Sequence, residues 1–239
     1  MRQLDALKVF FYFMHKGDGN MDMNSNYFLL SLISIILLDI VLGGDNAVVI
    51  GMTSRQLPIE MRKKAIYIGT AGAIIIRVLM TFIAAYLLTI PYLQALGGFI
   101  LLPIAFKLLK PQKDTSHSAA VSASFANAIK TIIIADAAMG IDNVLAIAGA
   151  SHGNLLLVFI GLAISIPIVV WGSQLIARLM DRFTWLVTLG ASLLAYTSSS
   201  MILHDKMIGS LLQHLPFISY LLPVCFIGAI ILYQKKLSA

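Results

Sequence analysis

Charge is what this sequence has least of. Asp, Glu, Lys and Arg make up 12% of its 239 residues, about half the share of an ordinary soluble domain. Cysteine is almost absent. Cys225 stands alone, which excludes an intrachain disulfide and any multi-cysteine metal site. No phosphate-binding loop of the form Gly-x4-Gly-Lys-Ser/Thr occurs, so direct coupling to ATP in this chain is not expected. The net charge is +6, yet no basic stripe with interleaved aromatics exists, and a nucleic-acid partner is excluded. What the sequence has in abundance is apolar surface. Hydrophobic residues reach 59% and the mean hydropathy is +0.90, more than a soluble core of this size hides. The lipid bilayer is the expected solvent, and a multi-pass membrane protein the expected class.

Seven apolar stretches are long enough to approach a span: 27–50, 65–90, 92–109, 124–149, 155–177, 185–203 and 217–233. About 20 helical residues cross a hydrocarbon layer of about 30 Å. Helices are the expected form, because lipid satisfies no open backbone groups. The basic residues alternate between connections. Arg55, Arg62, Lys63 and Lys64 follow the first stretch, and Lys110, Lys113 and Lys130 surround the gap after the third. Arg178 and Arg182 follow the fifth, and Lys235 and Lys236 close the chain. The second and fourth connections carry none. Positive charge marks the cytoplasmic side, so the N-terminus is expected outside and the C-terminus in the cytoplasm. The tail 1–26, with a short apolar patch and further candidate starts at Met21 and Met23, is expected to be disordered.

A segment rich in Ser, Ala and Lys, 110–123, divides the chain, and the two halves share a motif. The first stretch reads Asp39-x3-Gly43-x-Asp45-Asn46 and the fourth Asp136-x3-Gly140-x-Asp142-Asn143. Weaker echoes follow. Gly69 in the second stretch matches Gly161 in the fifth, and Gly97 in the third matches Gly190 in the sixth. The expected fold is therefore all-α: a polytopic bundle of seven transmembrane helices, built as a 3+3 inverted-topology repeat plus one extra helix. Its parts are the tail 1–26, repeat one at 27–109, a linker at 110–123, repeat two at 124–204, and the last helix with its tail at 205–239. An odd number of helices per unit makes the second enter from the opposite face, a build used by secondary transporters with a site near the midplane.

The duplicated carboxylates define the chemistry. An Asp at a helix centre costs about 2.5–3.5 kcal/mol on insertion scales. Four of them call for compensation by protons, a buried cation or a bound ion. Arg77, midway along the second stretch, answers only part of that charge. Asp39, Asp45, Asp136 and Asp142 with the amides of Asn46 and Asn143 form an all-oxygen set, suited to hard divalent ions such as Mn²⁺, Mg²⁺ or Ca²⁺. The five histidines, His15, His117, His152, His204 and His214, fall in the tail, the connections or the helix ends, which disfavours Zn²⁺. At about 100° per residue Asp39, Gly43 and Asn46 share a helix face and Asp45 points away. Breaks at Gly43-Gly44 and at Gly140 are expected to turn the second Asp of each motif inward and to free carbonyls; the alternative is two stacked ion positions along one path.

On these residues the sequence resembles the TerC family of integral membrane proteins, above all over 38–51 and 135–149. The resemblance extends from about Tyr27 to the end. It implies a seven-helix bundle related to the lysine exporters, and transport of a metal ion, with Mn²⁺ efflux foremost. It also carries the family's intramembrane acidic residues over to Asp39, Asp45, Asp136 and Asp142, beside Asn46 and Asn143. The expected activity is export of a divalent metal ion across a bacterial plasma membrane, with protons as the counter-ion and no prosthetic group. The alternative cargo is a cationic amino acid or similar small solute. An intramembrane aspartyl protease is disfavoured. Leu42-Gly43-Gly44 before Asp45 is not Gly-x-Gly, and Leu38 rather than Tyr precedes Asp39.

Overall fold

The structure is a computed structural model, and it describes residues 25–87, 90–110, 118–151, 154–212 and 217–238. All regular structure among the described residues is helical. In chain order the helices are α1 (Ser25–Leu42), α2 (Gly44–Arg55), α3 (Ile59–Phe82), α4 (Ala84–Leu87) and α5 (Leu93–Leu109). They continue with α6 (Ser118–Ala150), α7 (Leu155–Arg182), α8 (Trp185–His204), α9 (Lys206–Leu212) and α10 (Ile218–Ser238). Five helices are long and apolar enough to cross a membrane, and α1 with α2 makes a sixth span bent by 50°. The apolar helix α5 is shorter. Each expected stretch thus coincides with a helix or a closely joined pair. The tail 1–26 lies almost wholly outside the described residues, as does the centre of the 110–123 linker, whose last residues already belong to α6.

Apolar side chains face outward as well as inward. Leu30, Val41, Ile75, Trp171, Tyr220 and Leu232 are all more than half exposed. That is a liability in water and the expected surface of a lipid-facing bundle. The interior is sealed by small residues. Gly161 lets α7 sit against Ile35 of α1, and Gly69 lets α3 sit against Ile132 of α6. Ile35 and Ile132 each stand one helical turn before the first Asp of a motif. Gly98 lets α5 approach the backbone of α8, where Ser198 Oγ donates to the Gly98 carbonyl at 2.6 Å. Close approach at small residues is how apolar helices gain packing energy in lipid. The packing holds α1, α2, α3, α6 and α7 together around the motifs, with α10 peripheral against α8 and α5.

The expected break in the first span is present. The chain bends at Gly43, where a Cβ would collide with the Asp39 carbonyl; this is a position for glycine alone. The expected break at Gly140 is absent, and α6 stays helical from Ser118 to Ala150. One glycine, in place of the Gly-Gly pair of the first motif, leaves the helical hydrogen bonds of α6 intact. Pro103 and Pro167 both lie inside continuous helices.

Candidate functional site

Asp39 closes the last turn of α1 and Asp136 lies in the middle of α6, so each half of the chain brings one carboxylate to the centre. Both are buried, at 2% and 6% exposure. Arg77 of α3 stands between them. Its Nη1 donates to Asp39 Oδ1, and its Nη2 to Asp136 Oδ1 at 2.6 Å. Ser165 Oγ of α7 donates to the other Asp39 oxygen. A buried cation paired to two carboxylates avoids the several-kcal/mol penalty of an isolated buried charge. One negative charge of the trio remains unbalanced.

Beside the trio is a cavity of about 30 Å³, and Asp39, Gly43, Asn46, Thr70, Arg77 and Asp136 are on its wall. It has room for one or two waters, or for an ion. Three groups here carry buried polar atoms without a hydrogen-bond partner: the Asn46 side-chain amide, Asp136 Oδ2 and Thr70 Oγ1. Buried polar groups are nearly always paired, so three unpaired groups on one small cavity call for a guest there, water or ion.

The wall has a regular pattern. On α3 it uses Thr70, Ala73, Ile74 and Arg77; on α7 it uses Leu162, Ile166 and Val169. Counted from Gly69 and from Gly161, these fall at the same steps: one, five and eight residues on, with Ala73 matched by Ser165 at four. Matched helices therefore turn matched faces to the cavity. The chemistry of the faces differs. Arg77 is matched by Val169, and Thr70 by Leu162.

The sequence-derived site residues are placed as follows. Asp39, Asn46 and Asp136 come together at the cavity. Asn143 is buried, and its Nδ2 donates to the Leu42 carbonyl at 3.2 Å, an acceptor at the bend. Asp45 stays off the wall, where its Oδ1 accepts from the Asn46 backbone N–H at 2.9 Å. The 50° bend reorients α2 as a whole without turning Asp45 inward, because Asp45 and Asn46 remain in the same helix. Asp142 sits in α6, and its side chain lies outside the described residues. The expected cage of four carboxylates is thus not assembled among the described residues, where no three His, Cys, Asp or Glu side chains form a metal-holding group. Thr70 was missed by the sequence reading. Its signal is its place seven residues before Arg77, on the same helical face.

Comparison with known proteins places this arrangement in a family. The family model described as integral membrane protein TerC family matches residues 24–238. The uncharacterized membrane protein YjbE of Bacillus subtilis is 45% identical over 205 residues, covering 86% of this chain and 94% of YjbE. YkoY, another uncharacterized membrane protein of Bacillus subtilis, is 29% identical over 63% of this chain and 52% of its own length. The UPF0053 inner membrane protein YgdQ of Escherichia coli is 26% identical over 74% of this chain and 81% of its own. No solved structure matches significantly. With a match that runs through both Asp motifs and nearly every helix, the chain belongs to the TerC family of integral membrane proteins.

Proposed function

We propose that this protein is a secondary transporter that exports a divalent metal ion, manganese first among the candidates. The observation that carries the reading is the cavity of about 30 Å³ beside Asp39, Arg77 and Asp136, with Asn46, Thr70 and Asp136 offering it unpartnered buried atoms. All the offered ligand atoms are oxygens, a hard set that suits Mn²⁺, Mg²⁺ or Ca²⁺. Its size favours a bare ion over a cationic amino acid, which is several times larger than a water. Asp39, Asp136 and Asn46 are the first ligands. Asp45, Asp142 and Asn143 line the rest of the path or join the site in its other conformation.

The seven-helix, 3+3 inverted repeat belongs to this proposal, with α5 as the third span and α10 as the added helix. The pairing of helices supports it. α1 packs on α7 as α3 packs on α6, and α5 packs on α8, the contacts a two-fold exchange of repeats demands. The matched steps along α3 and α7 support it as well. Two such units rocking about a central site expose it to each side in turn. The basic connections support a cytoplasmic C-terminus in a bacterial cell. An inside-negative potential opposes cation exit by about 2.3 kcal/mol per charge per 100 mV, so inward proton movement is the driver. No catalytic role is needed to explain any of these residues.

The test is Mn²⁺ movement through purified protein in liposomes. The unmodified protein moves the ion, and Asp39→Asn, Asp136→Asn and Asp142→Asn each slow it by about tenfold or more, the scale of losing one charged ligand. Variants that move Mn²⁺ at the unmodified rate would sink the assignment.

A further inference from the structure

The site holds a positive charge of its own. We propose that Arg77 is a tethered stand-in for the transported ion: its guanidinium takes the seat between Asp39 and Asp136 when the site is empty and yields it when an ion enters. This lets the metal-free carrier change its facing with a single proton on the site. The inference rests on the transport reading above and assigns Arg77 its part in the cycle.

Three features of the geometry point this way. First, the guanidinium bridges the two halves of the chain, one Nη to Asp39 of α1 and the other to Asp136 of α6. A cation in transit would be gripped by the same pair. Second, Arg77 satisfies the charge but not the site. Asp136 Oδ2, the Asn46 amide and Thr70 Oγ1 stay unpartnered beside it. A buried network whose only task was to brace the helices would close on itself, because half-satisfied buried networks are costly. Three of the atoms left open, Asn46 Oδ1, Thr70 Oγ1 and Asp136 Oδ2, are oxygens suited to a metal, and the last is an acceptor the guanidinium does not use. Third, Arg77 lies outside the duplicated pattern. Its counterpart eight residues after Gly161 is Val169, while both motif carboxylates are present twice. The ligands are duplicated, and the cation has been added to one side only.

The consequence follows from charge. With Arg77 in place, the empty site carries two carboxylates and one guanidinium, a net charge of −1. Without it, the empty site carries −2 in hydrocarbon, and the return step must take up two protons where one suffices with Arg77 in place, or move with charge uncompensated. Loaded, a divalent ion compensates both carboxylates by itself, so the loaded carrier crosses without Arg77. Net efflux requires the empty return. Exchange of ion for ion across the membrane does not.

The experiment measures both fluxes in liposomes holding purified protein, with Mn²⁺ as the probe. Net efflux is followed into Mn²⁺-free buffer, and exchange by labelled Mn²⁺ at equal concentrations on both sides. For Arg77→Gln, the ratio of net efflux to exchange is expected to fall about tenfold or more, with half-saturation of exchange at lower Mn²⁺ because the competitor is gone. Should Arg77→Gln fail to fold, Arg77→Lys carries the test, since a shorter cation reaches one carboxylate and lowers the ratio about threefold. An unchanged ratio in whichever variant folds means that Arg77 only braces the bundle or gates it, and overturns the proposal. So does a shift of half-saturation to higher Mn²⁺. If the unmodified protein moves no Mn²⁺ in either assay, the transport reading falls first. If it moves Mn²⁺ and the ratio holds, only the role of Arg77 falls.

Discussion

Asn46 and Asn143 hold the same place in the two motifs, seven residues after the first Asp, and both are buried, yet removing them should have opposite effects on stability. Asn143 Nδ2 donates to the Leu42 carbonyl at the bend. Asn143→Ala leaves that carbonyl without this partner, at a cost of about 1–3 kcal/mol. Asn46 has no partner for either side-chain polar atom, so Asn46→Ala removes an amide already desolvated without return. The relief, of the same 1–3 kcal/mol scale, offsets the small void left behind, and the variant should be as stable as the parent or more so. Equilibrium unfolding in mixed micelles, followed by helical circular dichroism, reads both changes. Mn²⁺ flux completes the test: Asn46→Ala should lose transport while keeping or gaining stability, the pattern of a residue kept for binding at the expense of the fold. Equal destabilisation by the two substitutions, or a larger loss at Asn46, would refute this reasoning.

Two further outcomes follow from the packing. A Cβ at Gly161 would sit 2.5 Å from Ile35 Cγ2, a methyl fixed by β-branching in a helix. Gly161→Ala should therefore cost about 1–3 kcal/mol and lower the melting temperature more than Gly69→Ala, where the nearest atom is the end of Ile132 at 2.9 Å. Asp205 is buried and accepts from the N–H groups of Met207 at 3.0 Å, Ile208 at 3.1 Å and Ala95 at 3.3 Å. Asp205→Ala should cost about 1–2 kcal/mol, with faster amide exchange confined to the starts of α9 and α5.

The helices were legible because each has to be apolar along its whole length; no tertiary information is needed to see that 155–177 cannot stay in water. The face carrying Asp39, Gly43 and Asn46 was legible for a similar reason: the helical repeat alone puts them together and sends Asp45 elsewhere. What failed was the correction applied to that geometry. The expectation that both motif helices break assumed that duplicated sequence means duplicated conformation. Between the shared Gly and the shared Asp the motifs differ, Gly44 against Ile141, and only the Gly-Gly copy bends. The break frees the Leu42 carbonyl for Asn143, and the unbroken α6 presents no equivalent acceptor to Asn46. One difference in backbone state therefore sets one asparagine to a structural bond and leaves the other open to the cavity. The two partners of Arg77 were beyond sequence for a different reason. A lone Arg in an apolar helix announces a partner but not which one, and the answer depends on α6 packing on α3, and α1 on α7, at a common level. That level is set by Ile132 on Gly69 between α6 and α3 and by Ile35 on Gly161 between α1 and α7, contacts between residues too ordinary to stand out in a linear reading. The glycines that looked like faint echoes of a repeat are the contacts that bring both carboxylates within reach of one guanidinium.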